Sequence, residues 1–287
     1  MRDDIKNIDV SVKARLKNIA RNQGKTFNLI LQLYMQERLL YRLSISRYNK
    51  NFILKGGLLL FSMSGFKGRP TRDIDFLALK MSNDMENIKK VFKEICSIEF
   101  EDGIKFDSNN ISVELIMKRA DYRGIRLRII GYLGKAKEML WVDVGFNDVT
   151  IPGIIKANYP VLLEMDYPRV NIYSLEFVVA EKFEAMVSLG ELNSRMKDFY
   201  DIYILLSAKK LNKDILKEAI KSTFQQRGTD IKKVNQVFNN EFIIDNNRIN
   251  QWKLFLKKID HQNLEFEYIM NTIKKFMLPI CKNIIRQ

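Results

Sequence analysis

The sequence predicts an α/β N-terminal half followed by a C-terminal half built only from helices. Three observations predict it. Up to about residue 150, stretches of helical apolar spacing alternate with short β-rich runs bounded by glycine and polar turns. Residues 151–168 then hold three of the five prolines, Pro152, Pro160 and Pro168, and read as a loop-rich connection. Beyond them every apolar pattern has helical spacing.

Taken in order, residues 11–46 read as helix with a break at Gly24. Val12, Leu16, Ile19 and Ala20 share one apolar stripe, and Leu29, Leu33, Met35, Leu39, Leu40 and Leu43 continue it. Phe52–Leu54 reads as an apolar strand running into Gly56-Gly57 and a short apolar helix. Arg72-Asp73-Ile74-Asp75-Phe76 opens a second strand. Residues 84–97 fit an amphipathic helix, and 111–118, 124–133 and 138–146 fit antiparallel strands. The helical half is predicted over 174–190, 194–208, 212–225, 229–239, 246–260 and 264–279. The sequence shows no internal repeat and no low-complexity tract.

With 287 residues, 46% of them hydrophobic, the chain can bury one large core or two modest ones. No apolar run approaches the ~20 residues of a membrane span. The N-terminus lacks the apolar segment of a secretory signal, so a cytoplasmic protein without membrane contact is expected. The two cysteines, Cys96 and Cys281, lie far apart in apolar contexts and predict buried thiols in a reducing compartment. The one histidine, His261, sits in a Lys-rich stretch and reads as a surface residue. That count excludes a His/Cys zinc cluster, and His261 has no motif around it on which to build a Ser-His-Asp or Cys-His engine.

The net charge is +14, and it is unevenly spread. Residues 1–55 carry +8, residues 56–180 carry zero, and residues 181–287 carry +6. Basic flanks around a neutral middle suit a polyanionic partner such as nucleic acid. Exposed Lys-rich helices that only keep the protein soluble would give the same total.

The neutral middle holds the residues that point to chemistry. Strand side chains alternate with period two, so Asp73 and Asp75 share a face. Adjacent carboxylates repel unless a cation lies between them, and a hard divalent ion that keeps water and phosphate ligands suits the pair. Gly56-Gly57, ahead of a helix start, offers unhindered N–H groups to a phosphate. Together these parts suggest a metal–nucleotide site. Asp143, in the apolar run Trp141-Val142-Asp143-Val144, is either a third ligand beside the pair or an outward residue on an edge strand. Arg195, Asp198 and Asp201 recur on one helix face, and Lys197 and Asp201 stand four apart. This set, with Glu181-Lys182, reads equally as surface salt bridges or as a phosphate-holding lysine with an acid that closes the site.

These motifs occur in an order that resembles the AbiEii/AbiGii toxin family, within the polymerase-β-like nucleotidyltransferase superfamily. The resemblance runs from about Val12 to Leu206. It is carried by Glu37-Arg38-Leu39-Leu40-Tyr41-Arg42-Leu43, Leu54-Lys55-Gly56-Gly57 and Arg69-Pro70-Thr71-Arg72-Asp73-Ile74-Asp75-Phe76. Ala180-Glu181-Lys182-Phe183-Glu184-Ala185 and Arg195-Met196-Lys197-Asp198-Phe199-Tyr200-Asp201 complete it.

The resemblance implies an α/β (α+β) nucleotidyltransferase domain with a mixed sheet, followed by an all-helical C-terminal domain. Residues 1–50 would be helices packed on the core, 51–165 the nucleotidyltransferase domain, and 166–287 the helical domain carrying Lys182 and Asp198. By position it implies catalytic roles for Asp73, Asp75, Lys182 and Asp198. Nucleotide contacts fall to Gly56, Gly57, Thr71, Arg72 and Lys182, with support from Glu181, Arg195, Lys197 and Asp201. Asp73 and Asp75 would hold Mg²⁺ or Mn²⁺, with Asp143 only loosely aligned as a third ligand. Leu58 departs from the small or hydroxyl residue common in relatives, which leaves the phosphate to backbone contacts.

The activity so implied is metal-dependent transfer of a nucleoside monophosphate from an NTP. RNA, for instance a tRNA end, is the expected acceptor, and the protein is expected to act as the toxin of a toxin–antitoxin or phage-defence pair with a cognate antitoxin. Two alternatives stand beside it. One keeps the transfer but changes the acceptor to a protein side chain or an aminoglycoside. The other is a nucleic-acid-binding module without catalysis, which explains the basic flanks but not the carboxylates between them.

Overall fold

The computed structural model describes residues 3–63, 69, 71–119, 122–146, 154–208, 211–259 and 263–286. Pro70 and His261 lie outside them. The chain separates into two compact units, Met1–Tyr173 and Ser174–Gln287.

The first unit opens with α1 (Asp3–Asn22) and α2 (Phe27–Ile45). The break falls at Gly24, whose φ of +61° ends α1 in the left-handed region that glycine adopts without penalty. Thr26 then caps α2 by accepting the Leu29 N–H. Next come β1 (Phe52–Lys55), α3 (Gly56–Met63), β2 (Asp73–Ala78) and α4 (Met85–Cys96), the last capped by Asp84 through the Asn87 N–H. The unit continues with β3 (Ile104–Phe106), β4 (Ser112–Arg119), β5 (Tyr122–Leu133), β6 (Ala136–Phe146), β7 (Ile155–Asn158) and β8 (Arg169–Ile172).

These eight strands form one mixed sheet in the order β3-β5-β6-β2-β1-β8-β7, with β4 also pairing β5. β2 runs parallel to β6 and β1 parallel to β8, while the other pairs are antiparallel. The loop-rich expectation for 151–168 thus missed β7, and β3 and β8 were not foreseen. All three have three or four residues, too short for period-two alternation to register.

One face of the sheet is apolar. Phe52 and Phe76 on it meet Phe92 of α4, at centroid distances of 5.4 and 6.4 Å, in an aromatic cluster. Gly131 on the same face lies so close to Met35 of α2 that a side chain there would overlap its sulfur.

α2 is buried along fourteen consecutive residues, Ile30 to Leu43, including Gln32, Gln36, Glu37, Arg38 and Arg42. Buried polar groups need partners, and these find them far along the chain. Arg42 forks onto Asp102 at 2.6 and 3.1 Å. Arg38 donates to the Asp166 carbonyl, and Glu37 accepts the Leu162 N–H at 2.7 Å.

Burial pushes the Glu37 carboxyl up to about 7, against the opposing pull of Arg38 and that N–H. Between its ordinary 4.5 and about 7, the folded chain therefore holds a proton that the unfolded chain has released. Stability falls as pH rises through this window. Glu37→Gln is expected to lose that part of the pH dependence, read as a smaller drop in unfolding midpoint between pH 5 and pH 8 than in the parent protein.

The second unit contains helices and short 3₁₀ turns among its described residues. They are α5 (Leu175–Leu189), α6 (Met196–Ser207), α7 (Lys213–Gln226), α8 (Val234–Val237), α9 (Asn240–Ile244), α10 (Asn246–Lys258) and α11 (Phe266–Ile285). Ser174, Asn212, Asn239 and Asp245 cap α5, α7, α9 and α10 through side-chain oxygens. α11 runs six residues past its expected end, through Pro279. Its apolar stripe continues to Ile280 and Cys281, and packing of that stripe outweighs the lost hydrogen bond. Phe199 of α6, Phe242 and Phe266 build the core. Both cysteines are free and buried, and burial pushes each thiol up to about 12.

Candidate active site

β1 leads directly into α3 at Gly56-Gly57, and the chain returns antiparallel as β2 with Lys55 opposite Asp75. Gly56 has φ +69°, and a Cβ on it would overlap the Asp75 carboxylate. On Gly57 a Cβ would come within 3.2 Å of the Thr71 hydroxyl and 3.3 Å of the Arg69 guanidinium. The head of α3 is therefore packed closely against a carboxylate, a hydroxyl and a guanidinium, an approach that glycine permits. Leu58, by contrast, is buried.

Gly56→Ala is expected to cost about 1–3 kcal/mol from its left-handed backbone alone and to push Asp75 aside, so stability and catalytic rate fall together. Gly24→Ala supplies the control. Its φ is +61° with nothing within 4 Å, so thermal unfolding should shift and the rate should not.

Asp73 and Asp75 open β2 on the polar face of the sheet, both half-buried. Parallel pairing with β6 sets Asp75 beside Asp143 and Asp73 beside Trp141. β6 lies between β2 and β5, so Asp143 is not on an edge strand, and it is 5% exposed. Register carries the row further. Lys55, Asp75, Asp143, Arg126 and Glu114 face the same way across five adjoining strands.

Within this row Arg126 grips Asp143 with Nε at 2.7 Å and Nη2 at 2.9 Å. The hydrogen bonds it donates to Asp143 outweigh partial burial and, with the charges of Asp143, Asp73 and Glu114, hold the guanidinium firmly protonated. Arg126 was not foreseen, because only the pairing of β5 with β6 brings it here.

The segment that delivers Asp73 is held from below. Gln36 of α2 donates to the Arg72 carbonyl at 3.0 Å and the Thr71 carbonyl at 3.4 Å, and Gln32 also reaches the Arg72 carbonyl. Arg72 itself is exposed. Sequence reading assigned neither glutamine, since their amides act 35 to 40 residues away.

Two carboxylates at a strand head, one of them against the Gly56 backbone, form a hard oxygen donor set. It fits a small divalent ion that takes its remaining ligands from water and phosphate. Among the described residues, no three His, Cys, Asp or Glu side chains converge as a closed metal cage.

In the second unit, Lys182 on α5 places its ammonium 2.8 Å from Asp198 and 2.9 Å from Asp201 on α6. Arg195, at the N-cap position of α6, meets the other Asp198 oxygen at 2.7 Å. Lys182 is 12% exposed and the two carboxylates less, so this is a buried cluster and not a set of surface salt bridges. Burial would lower the lysine's pKa, but the two carboxylates more than reverse it. Burial would raise Asp198, and Lys182 and Arg195 overturn that, leaving it below the usual carboxylate range. Lys197 is exposed, and Lys182 occupies the place expected for it at Asp201. Glu181 instead lies 3.5 Å from Arg227, which also binds buried Glu184 at 2.7 Å.

A mixed sheet that sets paired carboxylates against a glycine-headed helix belongs with nucleotide-handling folds. Residues 38–272 match the family described as nucleotidyl transferase AbiEii toxin of type IV toxin–antitoxin systems. The chain belongs to this family and is a nucleotidyltransferase. No curated protein matches it in sequence. Among solved structures it is similar to JHP933 from Helicobacter pylori, at 15% identity over 87% of this chain and 90% of that one, with a TM-score of 0.44. A second Helicobacter pylori chain, described as a candidate nucleotidyltransferase, matches at 15% identity over 87% and 93%, with a TM-score of 0.43. No described helix is long and apolar enough to cross a membrane.

Proposed function

We propose that this nucleotidyltransferase is metal-dependent and moves a nucleoside monophosphate from an NTP to RNA, in the first instance a tRNA end. The observation that carries the reading is the close approach of Gly56 to Asp75, which sets the glycine-headed start of α3 against the carboxylate pair. Asp73 and Asp75 would hold Mg²⁺ or Mn²⁺. The ion, when bound, supplies positive charge to the triphosphate oxygens.

The remaining work belongs to the chain. The Gly56 and Gly57 amides, the Thr71 hydroxyl and the Arg69 and Arg72 guanidiniums donate to the phosphates as charge builds on them. An acceptor hydroxyl oxygen bonds to the α-phosphorus. The bond from that phosphorus to the bridging oxygen breaks, pyrophosphate leaves, and the hydroxyl proton passes to water.

Lys182 and Asp198 contribute as a fixed charged unit. With Lys182, Arg195 and Asp201 around it, Asp198 is an anionic hydrogen-bond acceptor held in place, and its lowered pKa makes it a poor base. The basic flanks, +8 and +6, supply phosphate-backbone attraction for an RNA acceptor. A cognate antitoxin is the expected protein partner, and phage defence the expected setting.

The test is label transfer with Mg²⁺, each α-labelled NTP in turn, and total tRNA. Label on tRNA from one NTP supports the reading. Label on protein alone overturns the RNA acceptor, and binding of nucleic acid that ignores Mg²⁺ and NTP, with no label anywhere, overturns the transfer reading.

A further inference from the structure

Arg126 belongs to the row that carries Asp75 and Asp143, and the transfer steps above do not use it. It takes both oxygens of Asp143, the residue directly beside Asp75 in the sheet. Two carboxylates in neighbouring register positions repel, and Arg126, on the far side of Asp143 from Asp75, supplies a counter-charge from the protein itself. The guanidinium is not locked away. Its side chain is 32% exposed, lies 5.6 Å from the Trp141 ring centroid and faces Glu114 on its other side. A planar fork that fits a carboxylate fits a phosphate equally well.

We propose that Arg126 is a resident counter-cation that reserves Asp143 in the nucleotide-free protein and turns to the triphosphate when the substrate arrives. Asp143 then becomes available to a divalent ion only with nucleotide present. The inference rests on the reading of Asp73 and Asp75 as the ion-holding pair. It gives that site a control: full ion loading waits for the substrate, because one carboxylate is otherwise occupied.

The proposal predicts opposite signs for two measurements on Arg126→Met. Without nucleotide, Mn²⁺ titration followed by the EPR signal of the free ion should show at least about tenfold tighter binding, since a competing charge-assisted pair is gone. In steady-state transfer, KM for NTP should rise, because the phosphates lose their guanidinium. Arg126→Met combined with Asp143→Asn should return Mn²⁺ affinity to the parent value. Arg126→Lys keeps the charge but not the fork, preserves folding should the Met variant fail, and should bind Mn²⁺ at an intermediate affinity.

Unchanged Mn²⁺ affinity in both Arg126 variants overturns the proposal. So does a parallel loss of ion and NTP binding, which is what a merely structural residue would give. If Asp73→Asn binds Mn²⁺ as well as the parent protein does, the ion-holding pair itself is misassigned, a failure distinct from that of Arg126.

Discussion

Asp73→Asn is expected to lower nucleotidyl transfer by about 10²–10³-fold or more, the scale of removing one preorganised electrostatic contact, while the unfolding midpoint stays within ~2 °C of the parent. The substitution keeps shape and removes charge at a half-buried strand head whose backbone pairing with Trp141 is untouched. Mn²⁺ affinity should fall with the rate. Circular dichroism and thermal unfolding establish that the fold survives, and α-labelled NTP measures the loss. Transfer at the parental rate would sink the assignment of Asp73.

Lys182→Met is expected to have the largest effect on stability. Removing one partner of a buried ion pair costs about 3–5 kcal/mol, because the charge left behind has neither water nor counter-ion. The low end applies here, since Arg195 still reaches Asp198 while Asp201 loses Lys182.

The pH dependence gives the signature. In the parent protein Asp198 is held below its ordinary pKa of 3.8, so its contribution is present above that value and lost as pH falls through the lower folded one. Without the ammonium, burial raises the Asp198 carboxyl against Arg195 alone, so part of the variant's deficit is relieved as pH falls toward 5. Urea unfolding at pH 7 and pH 5 checks this. An equal deficit at both values would mean that the loss comes from packing of the lysine stem and not from charge.

The parts of this site that could be read from the sequence are those encoded by local periodicity. A spacing of two places Asp73 and Asp75 on one face wherever the strand lies, and a glycine pair before an apolar helix marks its own turn. The longer helices of the second unit followed from their apolar stripes in the same way, whereas the helix expected over 229–239 is a 3₁₀ turn and the short α8, with α9 outside every expected range. Pairing across distance could not be read. That Asp143 stands beside Asp75 depends on β6 joining β2 in parallel, and that Arg126 holds it depends on the hairpin register of β5. Asp201 illustrates the reason. The nearer lysine, Lys197, satisfied the helical spacing rule, yet burial of α5 against α6 handed the carboxylate to Lys182. Tertiary packing decides among local options that the sequence leaves equal.

The long reach of the contacts made by α2 bears on when a nascent chain becomes dangerous to its own cell. Gln36 must find residues 35 and 36 positions ahead, Arg42 one 60 ahead, and Glu37 and Arg38 partners 125 and 128 ahead. The helix that braces the approach to Asp73 thus stays half-assembled until residue 166 has left the ribosome. At about 5–20 residues per second, that is about 6–25 s after α2 itself has been made. Translation thereby opens an interval in which the toxin exists as a polypeptide but not as an enzyme.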